Sequence, residues 1–214
     1  LWMALWLGCA RPPGAAPLPA LPEPPPGPRN VILVIGDGMG PQQLGLLEAL
    51  HRTHDRGPTH VQRLASEGVM ALSLHHPADG LVTDSACSAT QLATASPSRN
   101  GMVGVDADGR EQPNLRELAH TLGKATGIVS DTRLTHATPG AFLAHVPYRG
   151  AEDTIAEQIV ASTVDVALSG GRRHFHAGEG GRDDERDLLD EARSAGFDVV
   201  ATADELTAAG AASA

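Results

Sequence analysis

The stretch "VILVIGDGMGPQQ", residues 31–43, joins an apolar run to a glycine-rich loop and then to a helical pattern. A strand, a glycine-rich turn and a helix in this order are typical of the dinucleotide-binding fingerprint G-x-G-x-x-G. Two residues depart from that fingerprint. Pro41 occupies the third glycine position, and Asp37 places a carboxylate where a pyrophosphate would bind. These departures weigh against a nucleotide-binding domain of the Rossmann type and leave the role of Asp37 to be explained.

Short apolar runs alternate with helical patterns from residue 30 onward. We predict strands at residues 31–35, 69–74, 127–130, 165–168 and 197–200, and helices at residues 41–52, 59–66, 85–95, 114–124, 139–146, 152–162 and 184–195. This alternation predicts an α/β fold, a doubly wound, mostly parallel sheet with helices on both faces. Ligands of such folds bind beyond the carboxyl ends of the strands, which is where the sequence places Asp37.

The composition weighs against several classes of function. The 214-residue chain has 26 acidic and 16 basic residues and a net charge of −10, which argues against general nucleic-acid binding. Its two cysteines, Cys9 and Cys87, form no C-x-x-C motif, and we predict no disulfide between them. The sequence also lacks an H-E-x-x-H motif, so neither a zinc finger nor a zincin protease site is indicated.

The first 29 residues differ from the rest of the chain. Residues 1–9, "LWMALWLGC", are too short to span a bilayer and resemble the end of a bacterial lipoprotein signal, in which Cys9 would carry the lipid. The alternative is an ordinary cleaved secretory signal. Residues 11–29 are rich in Pro and Ala, which favours an extended tether or a disordered N-terminus. We predict an exported protein, periplasmic or lipid-anchored, with residues 30–214 as the folded part.

A second informative stretch, "LVTDSACSATQLATA" at residues 81–95, brings Asp84 and Ser85 to the start of a helix of small residues. A serine at this position meets free backbone N–H groups and the positive end of the helix dipole, which favour an alkoxide or a bound anion. The alternative is that either residue is an ordinary N-cap. The G-x-S-x-G motif of serine esterases is absent, so a Ser-His-Asp hydrolase is not indicated.

A third stretch, "SDTRLTHATPGAFLAHVPYRG" at residues 130–150, places His136, Thr138 and Arg149 after a predicted strand. Thr138 precedes Pro139, so it could cap a helix, but a hydroxyl at a strand end can also bind a hard metal ion. Arg149 could be a surface arginine. Its planar fork also suits a bidentate phosphate clamp.

Four motifs of this chain occur in the order found in the alkaline phosphatase family: "GDGMG", "VTDSACSAT", "HATPGAFLAHVPYR" and "DVALSGGRRHF". Residues 30 to about 176 resemble the N-terminal portion of such an enzyme. The resemblance implies hydrolysis of phosphate monoesters with two zinc ions and one magnesium ion, and a homodimeric assembly. It also gives Asp37 a role, because a carboxylate there would bind divalent metals that in turn bind the phosphate.

The resemblance implies a role for each matched residue. Asp37 matches the carboxylate that bridges a zinc ion and the magnesium ion. Ser85 matches the nucleophile, which a zinc ion coordinates and activates and which becomes phosphoserine. Asp84 matches the acid that helps to orient an arginine, and Arg149 matches that arginine, which binds two phosphate oxygens. Cys87 is expected to be buried beside the nucleophile with a packing role.

The resemblance also implies a magnesium site and further metal ligands. Thr138 matches a hydroxyl ligand of magnesium, and His136 lies where family members carry Asp or His close to that ion. The other ligands that the family needs have no match, because the chain contains no Asp-His dipeptide and no Asp-x-x-x-His pair. His174 and His176 are spaced like ligands but are expected in a loop after a strand.

We therefore expect a truncated catalytic domain, without the C-terminal part of the fold, that is inactive alone. Two alternatives stay open: a non-catalytic metal- or phosphate-binding fragment, and a phosphodiesterase or phosphonate hydrolase of the same superfamily.

Overall fold

The computed structural model describes residues 30–212. The predicted signal, Cys9 and the Pro/Ala-rich tether lie outside these residues. The chain divides into two units between Ile35 and Gly36, and every helix and strand given below lies in the second unit. Within residues 30–212, no helix is long and apolar enough to cross a membrane.

Two parallel strands form the sheet of the described part. Strand β1 (Gly127–Arg133) pairs with β2 (Val166–Gly170) in a register that sets Gly127 opposite Val166. The pairing is irregular near the carboxyl end of β1, where the register shifts between Val129 and Arg133. A parallel pair needs a crossover connection, and here the crossover passes through helical segments. These strands confirm the predictions at residues 127–130 and 165–168.

The helices of residues 30–212 agree largely with the predicted pattern. They are α1 (Pro41–Thr53), α2 (His60–Glu67), α3 (Ser85–Thr94), α4 (Leu115–Thr121), α5 (Ala137–Gly140), α6 (Glu152–Ala161), α7 (Leu188–Ser194) and α8 (Ala203–Ala212), with a short 3-10 helix at Arg172–His174. The prediction at residues 139–146 was wrong in its bounds, because α5 begins earlier, ends at Gly140 and continues as turns. The helix predicted at 184–195 is shorter than expected, since Asp187 caps α7.

Three predicted strands, at residues 31–35, 69–74 and 197–200, do not form in the described chain. An apolar run predicts burial, but a strand also needs a backbone partner, and these runs have none among residues 30–212. The side chains of residues 69–74 illustrate the point, because Val69 is 97% exposed and Leu72 is 92% exposed. The apolar pattern alone therefore predicted more strands than residues 30–212 form.

The hydrophobic core lies between the crossover helices and α3. Helix α3 contributes small side chains, including Ala86 and Ala89, which allow close packing against α5. Ile155 from α6 and Leu188 from α7 are fully buried in the same cluster. Cys87 is buried, as expected. This core holds the N-terminus of α3 beside the segment that follows β1, where the candidate residues lie.

Candidate active site

The Asp84 carboxylate caps helix α3. Its Oδ1 accepts a hydrogen bond from the backbone N–H of Cys87 at 2.9 Å, which is the N-cap geometry of a helix that begins at Ser85. The second oxygen, Oδ2, accepts from the backbone N–H of Gly101 at 3.1 Å and from Arg149 Nη1 at 3.0 Å. The capping alternative is therefore correct for Asp84, and the same carboxylate also binds the candidate phosphate clamp.

Ser85 is the first residue of α3 and is half-buried. Because Asp84 acts as the cap, the Ser85 hydroxyl is not used for capping, and it makes no hydrogen bond to any residue among 30–212. The first N–H groups of a helix have no partner within the helix and create a positive potential at its start. The hydroxyl lies at that start, which suits a nucleophile or a bound anion.

Arg149 is held at three points. Its Nη1 donates to Asp84, its Nη2 contacts His136 Nε2 at 3.0 Å, and its backbone N–H donates to the carbonyl of Gly101 at 2.7 Å. The Arg149 side chain is 29% exposed, so it is not fully enclosed by the described residues. The surface-arginine alternative is disfavoured, because a free surface arginine would not be fixed at both terminal nitrogens.

His136 supports Arg149 through its imidazole. Burial and the positive charges of Arg149 and Arg133 lower the pKa of His136, so the ring is neutral near pH 7. For Nε2 to accept from Arg149, the proton must lie on Nδ1, and Nδ1 is buried with no partner among the described residues. This arrangement favours a role in holding Arg149 over direct ligation of a metal through Nε2.

Asp37 and Thr138 meet although 101 positions separate them. The Thr138 hydroxyl donates to Asp37 Oδ2 at 2.8 Å. Neither residue acts as a helix cap, because Gly40 is the N-cap of α1 and His136 is the N-cap of α5. Both side chains therefore present oxygen atoms close together, and oxygen is the type of ligand that hard metal ions prefer.

The six side chains thus form two neighbouring groups: Asp84, Ser85, Arg149 and His136 at the start of α3, and Asp37 with Thr138 at α5. A sequence model of the alkaline phosphatase family matches residues 28–214. The chain belongs to the alkaline phosphatase family. Its relatives include the repressible alkaline phosphatase of Saccharomyces cerevisiae, which is 39% identical over 193 residues, covering 80% of this chain and 33% of the relative. The chain spans between 33% and 45% of the length of the curated relatives that it matches.

Solved alkaline phosphatases confirm the predicted α/β fold class. The enzyme of Thermus thermophilus superposes with a TM-score of 0.74 at 30% identity, over 80% of this chain and 36% of that one. A histidine-to-aspartate variant of the TAB5 alkaline phosphatase, with Mg bound in its M3 site, superposes with a TM-score of 0.64 at 28% identity, over 73% of this chain and 44% of that one. Members of the alkaline phosphatase family therefore bind metal cofactors.

The described residues fit a magnesium ion better than a zinc ion. The Asp37–Thr138 pair offers the oxygen ligands that magnesium prefers. Zinc in a catalytic site takes about three protein ligands, mostly His, Asp, Glu or Cys. Among residues 30–212, no three such side chains form a group that could hold a metal ion. Residues 30–212 therefore provide part of a magnesium site and hold no complete set of zinc ligands.

Sequence reasoning missed two residues that support Asp84. The Asn100 amide oxygen accepts the backbone N–H of Asp84 at 2.8 Å, and Gly101 contacts both Asp84 and Arg149 through its backbone. The Asn100-Gly101 dipeptide could have indicated this, because Asn-Gly is typical of a tight turn. Gly101 has a φ of +80°, as such a turn allows. His174 and His176, as expected, follow β2 and do not share a partner.

Proposed function

We propose that this chain carries the nucleophile and the phosphate clamp of a phosphomonoesterase. The observation that supports this most directly is the Asp84 carboxylate, which caps the helix that begins at Ser85 and also binds Arg149. One rigid group therefore couples the position of the proposed nucleophile to the position of the proposed clamp. Membership of the alkaline phosphatase family supports the same reaction class.

In the proposed reaction, Ser85 Oγ forms a bond to phosphorus and releases its proton to water. The ester P–O bond breaks, its electron pair stays on the leaving oxygen, and that oxygen takes up a proton from water to give the alcohol. The product on the protein is phosphoserine at Ser85, which water then hydrolyses to serine and inorganic phosphate. Arg149 neutralises charge on two phosphate oxygens, and the α3 N-terminus adds positive potential at Ser85.

The proposed cofactors of the full-length protein are two zinc ions and one magnesium ion, as the family resemblance implies. Asp37 and Thr138 would hold magnesium, which when bound supplies positive charge at the site. Asp37 would also provide one ligand to a zinc ion, whose other ligands are not among residues 30–212.

A phosphate monoester fits the proposed site better than a diester or a phosphonate ester. Arg149 is fixed from two sides by Asp84 and His136. Its guanidinium would occupy the space that a second ester substituent needs, while a monoester presents free oxygens to its fork.

The full-length protein is further proposed to be exported, with lipid on Cys9, and to form a homodimer. The support for export is the sequence pattern of residues 1–9, and the support for the dimer is the family resemblance. Changing Cys9 to Ala should move the protein from the membrane fraction of a bacterial host to the soluble fraction. A wild-type protein that is already soluble would instead favour an ordinary secretory signal.

Trapping of the covalent intermediate tests the proposed function. The full-length, metal-loaded protein should incorporate label from radioactive phosphate at mildly acidic pH, and peptide mapping should place it on Ser85. Ser85→Ala should abolish both label and turnover. Ser88→Ala is the matched control, because Ser88 lies one turn later in α3 with its hydroxyl bonded to the Asp84 carbonyl at 2.9 Å. Label on another residue, or full activity of Ser85→Ala, would refute the proposal.

A further inference from the structure

The three candidate residues that follow β1 lie within one closed segment. His136, Thr138 and Arg149 all fall between Arg133, the last residue of β1, and Glu152, the first residue of α6. The ends of this segment are joined by side chains. The contacts that close it involve none of the three candidate residues.

Glu152 makes the closing contacts with both of its carboxylate oxygens. Oε1 accepts from Arg133 Nη2 at 2.9 Å, and Oε2 accepts from Arg133 Nε at 2.8 Å and from the Thr135 hydroxyl at 2.6 Å. Such a two-point arginine–carboxylate pair fixes direction as well as distance. We call the group of Arg133, Thr135 and Glu152 the Glu152 clamp.

Burial of Glu152 and Thr135 distinguishes this clamp from a surface ion pair, although the Arg133 side chain is 39% exposed. The Thr135 residue is fully buried, and the Glu152 side chain is only 15% exposed. His174 Nε2 lies 3.0 Å from Glu152 Oε2, so the turn after β2 also contacts the clamp. Arg186 and Glu191 form a comparable two-point pair on the surface, but both side chains are more than 40% exposed.

The clamp is connected to Arg149 at both ends of the segment. On one side, the Ala151 N–H donates to the Tyr148 carbonyl at 3.0 Å, which forms a turn that contains Arg149 and ends next to Glu152. On the other side, Thr135 precedes His136, whose ring contacts Arg149 Nη2. Displacing Glu152 would therefore move both the backbone of Arg149 and one of its supports.

We propose that Glu152 is a positioning residue that closes the segment between β1 and α6 and thereby orients Arg149 toward the phosphate. This proposal rests on the proposed function, because it assigns Glu152 a role in the same site. Groups that hold a catalytic side chain in place contribute by preorganisation, and misplacement of about 1 Å can cost about 100-fold in rate.

Steady-state kinetics of the full-length, metal-loaded protein test the proposal. Glu152→Gln keeps the shape of the side chain and removes its charge. We expect the KM for a chromogenic phosphate monoester and the Ki for inorganic phosphate to rise together by about 10-fold, because both depend on Arg149. Glu191→Gln, the control in the exposed pair, should change neither by more than about 2-fold. Equal phosphate affinity in wild type and Glu152→Gln would overturn the proposal.

A double-mutant cycle separates positioning from general destabilisation. In an Arg149→Ala background, Glu152→Gln should cause no further loss of phosphate affinity, since the group that it positions is gone. Additive losses would overturn the proposal. Arg133→Lys, which keeps the charge but loses the two-point fork, replaces Glu152→Gln if that variant does not fold. Absence of Ser85-dependent turnover and of phosphate binding in wild type would refute the proposed function, and the positioning role would fall with it.

Discussion

Arg149 and Asp84 are joined by a hydrogen-bonded ion pair of 3.0 Å between Nη1 and Oδ2, although 65 positions separate them in the chain. Asp84 simultaneously caps α3 through Oδ1. The carboxylate therefore has two separable functions, since capping needs only an acceptor oxygen while orientation of an arginine benefits from negative charge.

Asp84→Asn is expected to separate these two functions. Asn is as good an N-cap as Asp, so the free energy of unfolding should fall by less than about 1 kcal/mol. Loss of the charge should weaken the hold on Arg149 and raise the Ki for inorganic phosphate in the full-length protein. Asp187→Asn is the matched control, because Asp187 caps α7 and has no contact with Arg149. An unchanged Ki in Asp84→Asn would contradict the assignment.

Asp37→Asn is expected to reduce the metal content of the full-length protein. The substitution keeps the shape but removes the charge that a divalent cation requires, and Asp37 is not a helix cap, so stability in the absence of metal should be unchanged. Elemental analysis after dialysis measures the effect. Asp183→Asn, at an exposed carboxylate remote in sequence, serves as the control. Normal metal content in Asp37→Asn would exclude Asp37 as a ligand.

The N-cap of α3 could be predicted from the sequence as Asp84 or Ser85, because capping depends on local chemistry. Asp84 caps the helix that Ser85 begins, and this follows from the preference of Asp for N-cap positions. The partners of Asp84 could not be read in the same way. Arg149 and Gly101 reach Asp84 only through the tertiary fold, so only the family resemblance linked Arg149 to it. The Glu152–Arg133 pair could not be predicted, because charged residues that are far apart in the sequence are usually solvated and not paired.

The strands were harder to predict from the sequence than the N-cap of α3. The runs at residues 127–130 and 165–168 became β1 and β2 because each provides a partner for the other. The run at residues 31–35 has the stronger apolar pattern but has no partner strand among residues 30–212, and Val31 is 80% exposed. Hydrophobic periodicity predicts which residues should be buried, whereas strand pairing depends on neighbours that periodicity does not reveal.

Gly104→Ala is expected to be strongly destabilising. Gly104 has a φ of +67°, and an added Cβ would collide with the Ala144 carbonyl oxygen and lie 2.8 Å from His145 Nδ1. Gly109→Ala is the matched control, because its φ is +80° but a Cβ there would meet nothing within 4 Å. Urea denaturation should show a loss of about 1 kcal/mol at Gly109 and about 1–3 kcal/mol more at Gly104. Equal losses would mean that the Ala144–His145 turn moves away freely.

The Glu152 clamp also predicts how stability depends on pH. Burial raises the pKa of Glu152, but the hydrogen bonds from Arg133 and Thr135 and the nearby His174 outweigh it and lower the pKa from 4.5 to about 2. A carboxyl with a lowered pKa in the folded state stabilises the protein above its unfolded pKa. That contribution is lost as the pH falls from about 4.5 to about 2, because the unfolded state takes up a proton in this range while the folded carboxylate stays ionised.

Glu152→Gln removes this titration, so the difference in free energy of unfolding between wild type and variant should depend on pH. The shift corresponds to at most about 3 kcal/mol, which solvent screening reduces to about 1–2 kcal/mol. Urea denaturation should show this difference as constant between pH 5 and 7 and shrinking below about pH 4.5. Glu191→Gln should show a much smaller difference, since the Glu191 side chain is largely exposed. A wild-type advantage that persists unchanged to pH 2 would mean that Glu152 is held by its shape, and that its charge does not close the segment carrying Arg149.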